Sequence, residues 1–170
     1  MKIVLVDGYN VIYQSPSLKL LLSQSVSRAQ SELVEMVCTY CSLKGVEGYV
    51  VFDAYRRPTS EKKAISPLVK VIYTGEGKTA DSFIENFIAR NKSRYELIYV
   101  ITSDYSQAMT VLDKHILPVS PKNFLKELNY SRKYVKEKFT SPVPFTYYLL
   151  SSKDRKKIEE KLKKSRENKG

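Results

Sequence analysis

The sequence predicts an α/β sandwich on a central parallel sheet of about five strands, and three observations lead there. Five short apolar, β-branched runs alternate with stretches of helical periodicity. The runs lack the in-out alternation of a half-exposed strand, so they suit strands covered on both faces. Each stops at a residue type that breaks strands, which closes it as a separate βα unit. A chain of 170 residues slightly exceeds the common domain size of about 100–150 residues, so one compact domain with a short appendage is expected.

The elements follow in order. Lys2 to Val6 forms the first run and halts at Asp7-Gly8. Val26, Ala29, Leu33, Val37 and Cys41 recur at steps of three and four behind Ser25 and Ser27, which predicts a capped amphipathic helix. Tyr49 to Phe52 stops at Asp53, and Val69 to Tyr73 stops at Thr74-Gly75. Ala80, Phe83, Ile84, Phe87 and Ile88 then repeat the helical spacing after Thr79. Leu97 to Thr102 stops at Ser103-Asp104, and Ile116 to Val119 stops at Ser120-Pro121. That Ser-Pro pair reads as a cap with proline at the first helical position, opening a helix through Phe124, Leu125 and Leu128. Residues 140–150, with two prolines and no period, form an irregular apolar connector, and a lysine-rich helix follows Ser152. The expected division is a folded domain over 1–139 and a connector with basic helical tail over 140–170.

The charge is uneven. Residues 1–120 carry 14 basic and 12 acidic side chains, whereas 121–170 carry 15 and 6, a net +9. Such asymmetry is the footprint of a polyanionic partner. No segment approaches the ~20 apolar residues of a membrane span. The opening MKIVLVDGYN is too short in its apolar part for a secretory signal, so a cytoplasmic chain with no membrane partner is expected. The only cysteines, Cys38 and Cys41, fall on the apolar side of a helix, which argues against a redox or zinc role. The one histidine, His115, precedes a strand and reads as structural.

In open parallel sheets, ligands bind outside the carboxyl ends of the strands. Asp7, Asp53 and Asp104 end three strands there, Asp81 sits in the first turn of the following helix, and Glu85 lies one turn later on the same face. Neighbouring strands are about 4.7–4.9 Å apart, so these carboxylates converge. Ionised carboxylates crowded together raise one another's pKa unless a cation joins them. The fitting cation is hard and divalent, Mg²⁺ or Mn²⁺, which often uses a substrate phosphate as a further ligand. Asn10, one helical turn beyond Asp7, is suited to orienting a carboxylate, a water or a phosphate oxygen. Arg56, Arg57 and Lys78 flank the same rim and can hold phosphates. An acidic metal site inside a basic protein points to phosphate-ester chemistry on nucleic acid. GEGKT at 75–79 lacks the first glycine of a phosphate-binding loop, Ile72 standing in its place.

VDGYNVI at 6–12, VFDAYR at 51–56, VIYTGEGKTADSFIE at 71–85 and VITSD at 100–104 together resemble the YacP-like branch of the NYN family of PIN-like nucleases, in order over residues 2 to about 136. The resemblance implies a Rossmann-like three-layer PIN/NYN fold and a divalent-metal site that hydrolyses RNA internally. It implies metal ligands at Asp7, Asp81 and Asp104 and places Asn10 among the active-site residues; Asp53 and Glu85 are further candidates by their position on the rim alone. Where some NYN nucleases carry further acids, this sequence has Ala80 and Ala108. The function implied is an mRNA endoribonuclease acting with the ribosome; the alternative is an RNA- or ribosome-binding module that does not cut. The tail cations Lys153, Arg155, Lys156 and Lys157 are the expected RNA or ribosome contacts, and a monomer is favoured.

Overall fold

The computed structural model describes residues 1–53, 60–103 and 115–138. In order these form β1 (Lys2–Asp7), α1 (Gly8–Gln14), α2 (Pro16–Gln24), α3 (Val26–Lys44), β2 (Glu47–Phe52), β3 (Glu61–Ala64), β4 (Val69–Tyr73), α4 (Ala80–Asn91), β5 (Leu97–Ile101), β6 (Ile116–Val119) and α5 (Pro121–Lys138). The strands make one sheet in the order β3-β4-β2-β1-β5-β6. Five strands are parallel, as the apolar runs predict, and β3 adds an antiparallel edge.

Successive side chains of a strand face opposite ways, and the two faces are accordingly both buried. On one face Val4, Val6, Val50, Phe52 and Val71 pack beneath the helices α1, α2, α3 and α5. On the other, Ile3, Leu5, Tyr49, Val51, Ile72, Ile98 and Val100 pack beneath Ala80, Ile84 and Ile88 of α4. This is the three-layer arrangement expected for βα units.

The helix boundaries follow local chemistry. Ser25 caps α3 by accepting from Arg28 N at 3.4 Å, and Gly45 closes it in the left-handed region, φ 65°. Thr79 and Ser82 form a reciprocal capping box at the start of α4. Ser120 accepts from Asn123 N at 3.2 Å ahead of Pro121. Cys38 and Cys41 are buried along α3. Burial pushes the Cys38 thiol up to about 11 and the Cys41 thiol higher still, so both are protonated, unreactive thiols at neutral pH.

The sheet reverses direction of growth at β1. The crossover β1-α1-α2-α3-β2 covers one face and leads one way, whereas β4-α4-β5 covers the other face and leads past β1 to its opposite side. The carboxyl ends of β1 and β5 lie side by side, with Val6 opposite Ile101. In doubly wound sheets this is where a crevice forms.

Close packing fixes the first turn beyond β1. A Cβ at Gly8 would lie 2.3–2.5 Å from the Phe52 ring, which is itself fully buried. Glycine therefore lets α1 descend onto β2. A Gly→Ala change in a helix ordinarily gains about 0.4–1 kcal/mol, but overpacking a core costs about 1–3 kcal/mol, and here the clash with an immobile ring wins. Gly8→Ala is expected to lower the urea midpoint by about 1 M, taking the usual slope of roughly 1–3 kcal/mol/M. An unchanged or raised midpoint would show that α1 is not held against Phe52 in this way.

Candidate active site

The site starts from Asp7, the last residue of β1 and the N-cap of α1. The residue is only 7% exposed. Asn10 holds it twice: the backbone N–H donates to Oδ1 at 3.1 Å and the side-chain amide to Oδ2 at 2.7 Å. The amide oxygen of Asn10 in turn accepts from the Ser103 hydroxyl at 2.7 Å. A chain of hydrogen bonds thus runs Ser103–Asn10–Asp7 across the crevice from β5 to β1.

Asp53 continues from β2. Its Oδ1 accepts from the backbone N–H of Ala80 at 2.5 Å, where a helix N-terminus favours negative charge. This bond pins the start of α4 to the end of β2. A second tie, Thr74 N to Phe52 O at 3.0 Å, keeps the chain leaving β4 beside the same strand. Asp81 is the acidic residue in the first turn of α4.

Asp7 senses the other two carboxylates. The pKa of Asp7 is raised from its ordinary value, first by burial, then by the like charges of Asp81 and Asp53; the two hydrogen bonds from Asn10 pull the other way and do not win. The structure thus gathers Asp7, Asn10, Asp53 and Asp81 at the carboxyl edge of the sheet. Glu85 is exposed on α4, one turn beyond Asp81. Lys78 is exposed in the turn before α4, where Gly77 takes φ 73°. Asp104, Arg56, Arg57, Lys153, Arg155, Lys156 and Lys157 lie outside the described residues.

NYN and PIN-like nucleases typically use divalent metal ions, and hard carboxylate oxygens under mutual repulsion are the donors that Mg²⁺ or Mn²⁺ takes. Among the described residues no group of three or more His, Cys, Asp or Glu is placed to hold a metal ion. Asp81 and Asp53 are near enough to raise the charge cost of Asp7, but among the described residues the three do not form a ligand set.

Ser103 and Gly8 are the site residues that sequence reasoning did not pick out. Each stands beside a selected aspartate, and nothing but that adjacency marks it. His115 lies elsewhere, at the amino edge of the sheet, with Nδ1 2.9 Å from the Glu96 carbonyl. Tyr9 is also spoken for: its ring packs edge-on against Phe52 at 5.5 Å and its hydroxyl accepts from Gln30 at 3.1 Å.

A raised folded-state pKa on an acid costs stability once the group must ionise. The cost is absent below the ordinary value of 3.8, grows as pH rises toward the folded value, and is complete above it. Asp7→Asn removes the charge and keeps an oxygen for the Asn10 backbone N–H. In chelator, its Tm relative to wild type is expected to rise from pH 3 to pH 7. Asp7→Ala also loses the cap and should fall below Asp7→Asn by about 1 kcal/mol at every pH. A Tm difference between Asp7→Asn and wild type that does not change with pH would contradict the electrostatic assignment.

The architecture has counterparts among known proteins. A family model described as "YacP-like NYN domain" matches residues 4–168. The chain is 34% identical over 162 residues to a protein of Bacillus subtilis (strain 168) described as "Uncharacterized protein YacP", covering 94% of this chain and 95% of that one. The crystal structure of Rae1 (YacP) from Bacillus subtilis superposes with a TM-score of 0.69 at 32% identity, covering 98% of this chain and 93% of that one. A mutant form of Rae1 (YacP) gives 0.68 at 29% identity, covering 94% and 99%. NYN domains are generally nucleases, and the match points to a nuclease-type function, which implies RNA binding. On these findings, and with an α/β fold that agrees with them, the chain belongs to the YacP-like NYN domain family.

Proposed function

We propose that this protein is a metal-dependent endoribonuclease that cleaves mRNA in association with the ribosome. The observation that carries the reading is the buried carboxylate of Asp7, fixed by Asn10 and repelled by Asp81 and Asp53. A group of acids that raises its own charge cost at a ligand-binding edge is a liability for folding alone, and a cation removes it.

Asp7, Asp81 and Asp104 would hold Mg²⁺ or Mn²⁺, with Asp53 and Glu85 as further candidates. Bound there, the ion supplies Lewis-acid polarisation of a phosphoryl oxygen and a water of lowered pKa. Asn10 keeps the Asp7 carboxylate in one orientation, and Ser103 keeps Asn10 in place. Asp53 holds the first turn of α4, and so Asp81, against the rim. Arg56, Arg57 and Lys78 would take phosphates on either side of the scissile bond. In this reading residues 1–139 form the nuclease domain and 140–170 a connector and basic tail that acts in the cytoplasm on RNA or the ribosome. No helix among the described residues is long and apolar enough to cross a membrane.

A second reading is a non-catalytic RNA- or ribosome-binding module. Ala80 and Ala108, where some NYN nucleases carry further acids, favour it, and cleavage decides between the two. Full-length protein incubated with Mg²⁺ or Mn²⁺ and mRNA, free and on translating ribosomes, is expected to cut internally. Asn10→Ala should lower the rate about 10–100-fold, the usual cost of a partner that orients a metal ligand. Asp7→Asn and Asp81→Asn should lower it further while RNA association stays unchanged. Cleavage that persists in folded Asp7→Asn would refute the site, and no cleavage by wild type on either substrate would favour the binding module.

The tail is tested separately. Replacing Lys153, Arg155, Lys156 and Lys157 by Gln in the full chain is expected to weaken RNA association and flatten its dependence on salt. For a single strand, each phosphate no longer neutralised reduces the log–log slope by about 0.7. An unchanged slope would mean that these four side chains touch no phosphate.

A further inference from the structure

A groove of about 800 Å³ runs along α4 between that helix and the β3-β4 edge of the sheet. We propose that it is a second RNA-binding element, a track that takes single-stranded RNA and leads it to the acidic rim. The destination rests on the nuclease reading above, whereas the binding itself does not.

Charge is the first argument. Lys62, Lys78, Arg90 and Arg94 line the groove against a single acid, Glu61. Among the described residues none of these four cations is in an ion pair. On the opposite face, by contrast, Lys44 pairs with Glu127, Arg132 with Glu32, and Lys133 with Glu137. Lys62 Nζ and Lys70 Nζ lie 5.2 and 5.3 Å from the centroid of the Tyr49 ring and within 3.4 and 3.5 Å of its hydroxyl. Two ammonium groups are thereby held together on one aromatic base instead of spreading into solvent.

The floor is the second argument. Phe83 and Phe87 are half-buried on α4 and line the groove, with ring centroids 6.3 Å apart. Phe87 continues the row to Tyr49 at 4.9 Å. A cationic groove with an aromatic floor is the arrangement that binds single strands, because the backbone meets charge while every base offers a π-face.

Geometry is the third. Ser82 and Arg90 lie on one stripe of α4, two turns and about 12 Å apart. Double-stranded RNA is read by shape over a much longer span, about 16 base pairs for one common module. The Ser82 end adjoins the acidic rim. Ser82 follows Asp81, and Thr74, also in the lining, bonds the residue before Asp53.

The test measures binding of the full chain carrying Asp7→Asn, in chelator, to a fluorescein-labelled ten-nucleotide oligouridylate at several salt concentrations. Adding Arg90→Gln and Arg94→Gln is expected to weaken binding about 10-fold or more and to reduce the salt slope by about 1.4, as for two phosphates. Lys122→Gln with Lys126→Gln on α5 removes the same charge from the other face and should change neither. Phe83→Leu keeps apolar contact with α4's core but removes the π-face; it should weaken binding about 5-fold or more with the slope intact. The proposal is overturned if the arginine variant matches the α5 control. It is equally overturned if a ten-base-pair RNA duplex or polyglutamate of the same charge binds as tightly as the single strand. Cleavage by wild type is scored apart, so a wrong active site and a wrong track give different outcomes.

Discussion

Asp7 is the constraint on which the rest depends. Its carboxylate is desolvated, faces two other acids, and is held in one orientation by both polar groups of a single asparagine. Any one of these features has an ordinary explanation, since an aspartate commonly caps a helix. Their combination does not, because capping needs neither burial nor like-charged neighbours. The fold brings Asp81 and Asp53 to Asp7 through a specific tie, the bond from Ala80 N to Asp53, which fastens α4 to the end of β2.

The sheet makes that convergence possible. Both faces are apolar and covered, so the carboxyl edge is where polar side chains can collect without breaking a core. The reversal between β1 and β5 opens a crevice there, and Gly8 lets the first helix sit low enough that its start caps on Asp7. Structure and chemistry are coupled through one short segment, from the end of β1 to the first turn of α1.

Much of this was legible in the amino-acid order. The five parallel strands and the helices α3, α4 and α5 were marked by unbroken apolar runs, by three-and-four spacing and by Ser, Thr and Pro at the caps. The strand ends then pointed to Asp7 and Asp53, the first turn of α4 to Asp81, and a one-turn spacing to Asn10. What escaped had weak local signals. β3 is EKKA, wholly exposed; charged residues suit an edge strand, but they carry no period-two pattern. The helices α1 and α2 are short and meet at Ser15-Pro16, so neither offers enough turns for periodicity to show. Ser103 joins the site by a contact across 93 positions, and the α4 groove is assembled from β3, β4 and α4, which no local pattern unites. Glu85, which helical spacing put on the face of Asp81, lies exposed one turn farther along α4.

The central claim is that the acid rim is electrostatically costly until a cation joins it. Site-resolved ¹³C titration of the Asp7 carboxyl in the full chain, without divalent metal and with Mg²⁺, addresses it most directly. The account predicts a midpoint above the ordinary 3.8 without metal and a fall when Mg²⁺ is added. A midpoint at or below 3.8 that Mg²⁺ leaves unmoved would contradict it.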